Sequence, residues 1–492
     1  MAKRTLPDLK RIVADIQTTY RDHPYPWVLG YSGGKDSTAA LQLVWLAIAG
    51  LDPEERTKPV HVISTDTLVE TPVIVNHVTG TLAKIEEAAA AQGMPFSTHL
   101  LSPTVEDSFW VNLLGKGYPA PTSIFRWCTD RLKIKPSNRF IQDQVSEHGE
   151  VILVLGVRRG ESATRDQVIN MHRVPGKQLA RHGQLHGAWV SMPIEEFEVD
   201  DVWRFLLTVK SPWGGDNRQL SNLYQSAQDG ECPLVVDTQT SSCGSSRFGC
   251  WTCTVVERDK SMEAVIENGE TWLTPLLEFR DWLAESQNPE VKPETREFRG
   301  RNGQVRISKN GNILWRTYTL DFCRDALRRL LETQVKVHQH DPDFELISEA
   351  ELRTIRHLWR TERHDWDDSL PQIHREATGL DWHWERDDAG SPGRAEAEAL
   401  REVAERHDVP LDLMRRLVDA EWEHYGMRRR ARIHKSIASV FNRDWRPLEA
   451  VQAEAQAVAD EKNGGATAEP TAGGPYLDEG DSVTAPAEAD AA

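Results

Sequence analysis

Short apolar runs alternate with stretches of helical spacing through the first 210 residues. Leu9, Ile12, Val13 and Ile16 fall three and four apart and predict an amphipathic helix over 7–22. Val28 and Leu29 read as a short buried strand, with a helix from about Asp36 to Leu46 behind it. Further strands are predicted over 59–65, near 97–101 and over 151–155, with a helix over 73–91 between the first two of these. A last helix over 199–206 is expected to close the region near Lys210. Strands alternating with helices argue a parallel, helix-covered sheet. Such sheets bind ligands at the carboxyl ends of their strands, so the loops after Leu29, Thr65 and Leu155 share one rim.

The first of those loops, Ser-Gly-Gly-Lys-Asp-Ser over 32–37, is built for an anion. Gly33 and Gly34 permit backbone angles at which amides converge. Lys35 adds a positive charge, and the helix that starts with Asp36 and Ser37 presents its positive end. No glycine stands at the earlier position that the G-x-x-x-x-G-K-[ST] loop requires. The run instead resembles the PP-loop of ATP pyrophosphatases, which split ATP between the α and β phosphates. On the second strand's loop, Asp66 and Glu70 are candidates for nucleotide or Mg²⁺, with capping of the next helix as the plainer alternative. Past the fourth strand, Gly156, Arg158, Glu161, Ser162 and Arg165 face the same rim, and arginine's planar fork suits phosphate. Between these segments Arg126, Arg131, Lys133, Lys135 and Arg139 crowd around Cys128. Such a field favours a thiolate and draws phosphates; the alternative is a solvated basic helix around a structural cysteine.

Composition changes the picture in two places. The 492 residues carry a net charge of −18, which weighs against autonomous binding of duplex DNA. About half of that excess lies in the tail, with ten Asp and Glu against one Lys from Glu449 onward. The first ten residues hold no apolar core of the signal-peptide type, and the expected compartment is the cytoplasm. Six cysteines in a chain this long are not a disulfide framework and point to metal or redox chemistry.

Four of the six, Cys232, Cys243, Cys250 and Cys253, fall in one Gly- and Ser-containing run with C-x10-C-x6-C-x2-C spacing. Zinc sites usually take two close pairs, and only one close pair is present. Four thiolates at wider, irregular spacing suit a [4Fe–4S] cluster, with structural zinc or no metal as alternatives. Cys323 sits in an amphipathic helical stretch and reads as a core thiol. Residues 348–447 read as helices rich in Arg, His and Trp, suited to DNA phosphates or to a partner. The Ala-, Glu-, Gly- and Pro-rich tail is expected to be disordered. The resulting division is a nucleotide domain over 1–210, a Cys-rich region over 211–335, a helical region over 336–447 and an acidic tail over 448–492.

The loop, the Asp66 segment, Gly156-x-Arg158-x-x-Glu161-Ser162 and Asp201-Val-Trp203 together resemble the phosphoadenosine phosphosulfate reductase branch of PP-loop proteins. That resemblance implies a doubly wound sheet that binds adenine nucleotide. The Glu-Cys-Gly-Leu/Ile-His type tail of those reductases is missing. Adding Arg126–Pro136, the four-cysteine run and Gly311–Leu320, the chain resembles the DndC family of DNA phosphorothioation sulfurtransferases, with the SspD type as a near relative. This implies ATP, Mg²⁺ and a [4Fe–4S] cluster as cofactors. It also implies a cysteine desulfurase as sulfur donor, and DNA reached with other Dnd proteins such as DndD and DndE. ATP would bind over Ser32, Gly33, Gly34, Lys35, Asp36 and Ser37, with Asp66, Arg126, Lys133, Gly156, Arg158, Glu161 and Arg165 around the phosphates. Lys35, Asp36 and Cys128 would be catalytic. Sulfur would travel as a persulfide on Cys128 or as sulfide on the cluster. Reduction of a small sulfonucleotide, tRNA thiolation and a non-catalytic assembly subunit are the competing readings.

Overall fold

Six strands, β1 (Trp27–Gly30), β2 (Val60–Thr65), β3 (Phe96–Leu101), β4 (Val151–Val154), β5 (Ala180–Arg181) and β6 (Ala188–Ser191), form one sheet in the order β3-β2-β1-β4-β6-β5. The computed structural model of the chain describes residues 7–160, 179–227, 249–384, 392–422, 424 and 432–464. All pairings are parallel except β5 against β6. The chain winds from β1 outward to β3, then returns to β4 on the other side of β1. This is the expected doubly wound α/β fold, and its switch point lies between β1 and β4. Central β1 and β4 are buried along their whole length, as parallel strands covered on both faces must be.

Helices α1 (Leu9–Asp22), α2 (Lys35–Ala49), α3 (Pro72–Gln92), α4 (Lys135–His148), α5 (Val199–Thr208) and α6 (Asn217–Ala227) accompany the sheet. One core packs Ile16, Leu43, Val44 and Ile85 with Trp27, Val62, Phe205 and Trp213. A smaller cluster, with Ile141 of α4, includes Val28, Ile63 and Leu153. Each such large apolar side chain contributes roughly 1.5–3 kcal/mol by leaving water. Gln42, which interrupts the apolar run of α2, is fully buried and satisfied. Its Nε2 donates to the carbonyls of Val209 (3.0 Å) and Lys210 (3.2 Å), and Asn217 Nδ2 donates to its Oε1 (3.1 Å). That network fixes the start of α6 against α2.

A second, aromatic core lies outside the sheet. It joins Phe109, Trp110, Trp127 and Leu132 to Trp251, Phe279, Cys323, Leu327, Ile355 and Trp359. Cys323 is fully buried there, as a core thiol should be. The basic segment bridges both clusters. A helical turn over Trp127–Thr129, a π-helical turn over Asp130–Ile134 and α4 run on continuously. Trp127 and Leu132 enter the aromatic core, while Ile141 packs on the sheet. The helices expected over 348–447 include Glu349–Glu362, Ser369–Thr378, Arg394–His407, Leu411–Trp422 and Ile433–Phe441.

Among the described residues, 298–314 and 444–464 form a second compact unit. Within it a helix, Leu448–Gly464, occupies the first part of the tail that was expected to be disordered. Val451 and Ala455, four apart, are buried, and the helix crosses close to Gly311. A Cβ there would lie 2.5 Å from the Ala455 carbonyl oxygen. Residues 465–492 lie outside the described residues.

Two backbones also approach closely at the switch point. A Cβ on Gly156 would lie 2.7 Å from the carbonyl of Asp36 and 2.8 Å from Ser37 N, so only glycine lets the β4 loop reach the first turn of α2. Gly156→Ala is expected to lower unfolding free energy by about 1–3 kcal/mol in urea titrations. Gly80→Ala, at an open position inside α3, should raise it by about 0.5–1 kcal/mol.

Candidate active site

The turn from β1 into α2 is held open by its own hydroxyls. Gly33 takes φ +75°, and a Cβ there would strike Val78 at 2.8 Å. His77 Nε2 sits 3.2 Å from the Gly33 carbonyl and donates to it as the neutral imidazole; burial lowers this histidine's pKa. Ser37 Oγ donates to Gly34 O (3.0 Å) and accepts from Ser32 N (3.2 Å), and Thr38 Oγ1 donates to Gly34 O (2.8 Å). The carbonyls are thereby engaged inside the turn, as an anion cradle needs.

Asp36 organises the charges. Its carboxylate meets Lys35 Nζ at 3.2 Å and Arg158 Nε at 2.7 Å, although Lys35 and Arg158 are each only 3% exposed. Arg158 therefore reaches the loop from the far side of the switch point as a buried partner of Asp36. Tyr224 of α6 covers the same turn. The Lys35 amide donates to its hydroxyl at 3.2 Å, and Lys35 Nζ stands 5.2 Å from its ring centroid.

The second loop of the rim meets the cysteine run. Asp66 Oδ1 accepts from Leu68 N at 2.8 Å, and Leu68 adopts a left-handed φ of 63°. This turn sends Val69 and Glu70 alongside the cysteines. Trp251 N donates to Val69 O (2.9 Å), Glu70 pairs antiparallel with Cys250, and Thr67 Oγ1 lies 3.3 Å from Cys250 Sγ. Neither Asp66 nor Glu70 caps α3, whose N-cap is Thr71. Burial pushes the Glu70 carboxyl up, with Lys133 at 3.7 Å opposing the shift. Lys133, partly exposed, comes from the π-helical turn that follows Cys128, so its pair with buried Glu70 ties the Cys128 segment to the rim beside Cys250.

Cys128 is half-buried against the aromatic core. The basic field around it is partly neutralised. Arg131 meets Asp107 at 2.6 Å and Lys135 meets it at 3.3 Å. Burial raises the Asp107 carboxyl, but those two cations outweigh it and hold it below its ordinary value. Arg126 differs: its Nε is enclosed and has no hydrogen-bond acceptor among the described residues, a donor fit for an anion.

With sheet, loop and rim placed, comparison with known proteins becomes specific. Residues 26–256 match the phosphoadenosine phosphosulfate reductase domain. The chain carries a reductase-like PP-loop domain. An uncharacterized protein of Methanocaldococcus jannaschii is 23% identical over 263 residues, 54% of this chain; the chain spans 43% of that relative's length. Among solved structures, FMN adenylyltransferase of Candida glabrata, in complex with FAD and inorganic pyrophosphate, is 15% identical. It covers 40% of this chain and 57% of its own, with a TM-score of 0.24. The U34-tRNA thiolase NcsA of Methanococcus maripaludis, with its [4Fe-4S] cluster, is 12% identical. It covers 58% and 82% of the two chains, with a TM-score of 0.26. Both scores are low, and neither likeness bears on the chemistry.

The match to the reductase-like domain takes in the loop, the Asp66 segment, Cys128, Gly156, Arg158 and the four cysteines. Glu161, Ser162, Arg165, Cys232 and Cys243 lie outside the described residues. Cys250 and Cys253 form a C-x-x-C turn closed by Cys253 N donating to Cys250 O at 3.1 Å, and neither is in a disulfide. Burial pushes the Cys250 thiol up to about 12, so at neutral pH it keeps its proton unless a cation replaces it. Soft thiolates so placed fit iron or zinc, although the described residues alone assemble no group of three ligands. No helix among the described residues is long and apolar enough to cross a membrane.

Sequence reasoning missed His77, Thr67 and Tyr224. A histidine on the second turn of a helix that starts at the rim was the available signal for the first; nothing local marked the others. Tyr224→Phe keeps the ring but removes the hydroxyl that engages the Lys35 amide. Pyrophosphate, titrated alone, is expected to bind this variant about fivefold more tightly; unchanged or weaker binding would show that the hydroxyl does not compete. After anaerobic reconstitution with iron and sulfide, an absorbance band near 400 nm, roughly where four-iron clusters absorb, is expected and should be lost in Cys250→Ser.

Proposed function

We propose that the chain is a sulfurtransferase that activates a DNA backbone phosphate with ATP and replaces one non-bridging oxygen by sulfur, as the DndC family does. The observation that carries this reading is the contact of Glu70 and Thr67 with Cys250, which sets a thiol beside the loop after β2, on the sheet rim that also carries the Ser32–Ser37 loop. A nucleotide hydrolase has no use for thiols at that position, whereas a sulfur-inserting enzyme needs them there.

ATP, arriving with Mg²⁺, lays its phosphates on the amides at the start of α2, displacing the Tyr224 hydroxyl. Lys35 neutralises charge on the departing pyrophosphate, while Asp36 and Arg158 hold Lys35 and the turn in place. A non-bridging oxygen of the DNA phosphodiester attacks the α phosphorus, the bond to pyrophosphate breaks, and that oxygen now bridges DNA to AMP. The terminal sulfur of a Cys128 persulfide attacks the DNA phosphorus, and AMP leaves with the former DNA oxygen. A second thiol attacks Cys128 Sγ, forms a disulfide with it and releases the phosphorothioate; cellular thiols reduce that disulfide. Arg126 is the donor suited to the DNA phosphate during these steps. When bound, a [4Fe–4S] cluster on Cys232, Cys243, Cys250 and Cys253 supplies iron–sulfide chemistry as a further store of sulfur.

The negative net charge fits delivery of DNA by partners, for which DndD and DndE are the candidates, with a cysteine desulfurase as the sulfur source. A second reading, reduction of a small sulfonucleotide, is favoured by the reductase-domain match itself and predicts turnover without DNA. In the host, Cys128→Ser and, separately, Cys250→Ser are expected to abolish phosphorothioate-linked dinucleotides in digested DNA. Normal levels in the Cys128→Ser strain would remove the thiol from the mechanism.

A further inference from the structure

A cluster of titratable side chains on the outer strands of the sheet has no part in the site described above. In the parallel register of β2 and β3, His61 stands opposite Ser97, and Ile63 stands opposite His99. Side chains two apart on a strand share a face, so His61, Ser97 and His99 lie together on the face that α4 covers. Their polar atoms form a nearly equilateral triangle. His61 Nδ1 lies 3.0 Å from Ser97 Oγ and 3.1 Å from His99 Nε2, and Ser97 Oγ lies 3.1 Å from His99 Nε2. All three residues are half-buried, and the Phe140 ring of α4 stands 5.7 Å from that of His61 and 4.7 Å from that of His99.

Hydrogen bonds satisfy two edges of that triangle, not three. A neutral imidazole nitrogen carries either a proton or a lone pair, and the hydroxyl has one proton to give. One N–H can donate to Ser97 Oγ and the hydroxyl can donate to the other nitrogen; the contact between the two nitrogens then has no proton of its own. A cation held by all three atoms satisfies every edge at once. The rings are also bent toward a common point, since rings meeting head-on would stand farther apart. Around a tetrahedral ion with metal–nitrogen distances of about 2.05 Å, two imidazole nitrogens stand about 3.3 Å apart and their ring centroids about 5.2 Å apart. Here those separations are 3.1 Å and 5.1 Å. Burial lowers the pKa of both histidines, so both rings are neutral at pH 7 and have lone pairs to share. Gln144 of α4 adds an oxygen. Its Oε1 is enclosed with no hydrogen-bond donor among the described residues, and the side chain lies beside His61, where it favours positive charge.

We infer that His61, Ser97 and His99 form a binding site for a divalent transition-metal ion of the zinc type, with Gln144 Oε1 as a further donor from α4. Imidazole suits such ions, and none of these donors is a thiol, so the site is separate in chemistry from the cysteine run. No third His, Cys, Asp or Glu joins the group among the described residues. Two strong donors and neutral oxygens give micromolar affinity, not the tightness of a closed structural site. The ion ties β2 and β3 to α4, which continues from the turn that carries Lys133. Occupancy therefore steadies the Cys128 segment from behind, whatever reaction that segment serves.

The experiment titrates the full chain with Zn²⁺ against a chromophoric chelator, with His61→Ala and His99→Gln beside the parent. The cysteine run takes the same zinc in all three, so the difference reports this site. The parent is expected to bind one more micromolar equivalent than either variant, and Gln144→Leu to bind that equivalent about fivefold more weakly. His99→Gln keeps a hydrogen-bonding side chain beside Ser97, so loss of the equivalent with an unchanged metal-free unfolding midpoint separates ligation from folding. In the unaltered chain, zinc should slow carbethoxylation of His61 and His99 by diethyl pyrocarbonate, mapped by peptide mass spectrometry, and slow amide exchange along α4. Equal zinc uptake by the parent and both histidine variants overturns the proposal. So does an unchanged reaction of both rings at saturating zinc. Unaltered affinity in Gln144→Leu overturns the tie to α4.

Discussion

One carboxylate holds the candidate phosphate-binding turn together. Asp36 accepts Lys35 from its own helix and Arg158 from the loop after β4, and both cations are almost wholly out of water. Buried charges are costly unless paired, and removing one member strands the others. The pairing therefore fixes the distance across the switch point, and it is possible because Gly156 lets the two backbones approach. The amides of the turn can stay aimed at an anion only while that bridge holds. Tyr224, whose hydroxyl accepts from the Lys35 amide, covers the turn that this bridge holds.

The rim is the second constraint. Glu70 is buried where it pairs antiparallel with Cys250, and Lys133 answers its charge at 3.7 Å. The left-handed Leu68, steadied by Asp66, turns the chain so that this closure can occur. Strain of this kind at a rim is a common mark of a functional site. The consequence is a small region in which the candidate phosphate turn, half-buried Cys128 and the Cys250–Cys253 pair are tied together through Glu70 and Lys133. That unity argues for chemistry joining ATP cleavage to sulfur.

Much of this was legible in the sequence because parallel sheets write themselves plainly. The runs at Val28 and Val151 are apolar, the run at Val60 carries Val60, Val62 and Ile63, and the helices between them keep helical spacing. The loop's glycines, lysine and aspartate were readable because an anion cradle demands those types. Partner identity was not readable. Arg158 looked like a phosphate ligand, and nothing in the chain says that Asp36, 122 positions earlier, engages it. The basic residues near Cys128 read as an open field, since the sequence does not reveal that Asp107 and Glu70 answer three of them. The second core escaped notice because its tryptophans are scattered from Trp110 to Trp359 and meet only in space. The helix over 448–464 was hidden by Ala- and Glu-rich composition, although Val451 and Ala455 already marked one face.

The central claim is that ATP energy is spent on a DNA oxygen and not on water. It is tested most directly with an oligonucleotide carrying ¹⁸O in its non-bridging phosphate oxygens. The oligonucleotide is turned over with ATP, the sulfur donor and the partner proteins, and the released AMP is analysed by mass spectrometry. The account predicts one ¹⁸O atom in AMP for each phosphorothioate formed. AMP that carries only solvent or ATP oxygen while sulfur is still inserted would contradict it.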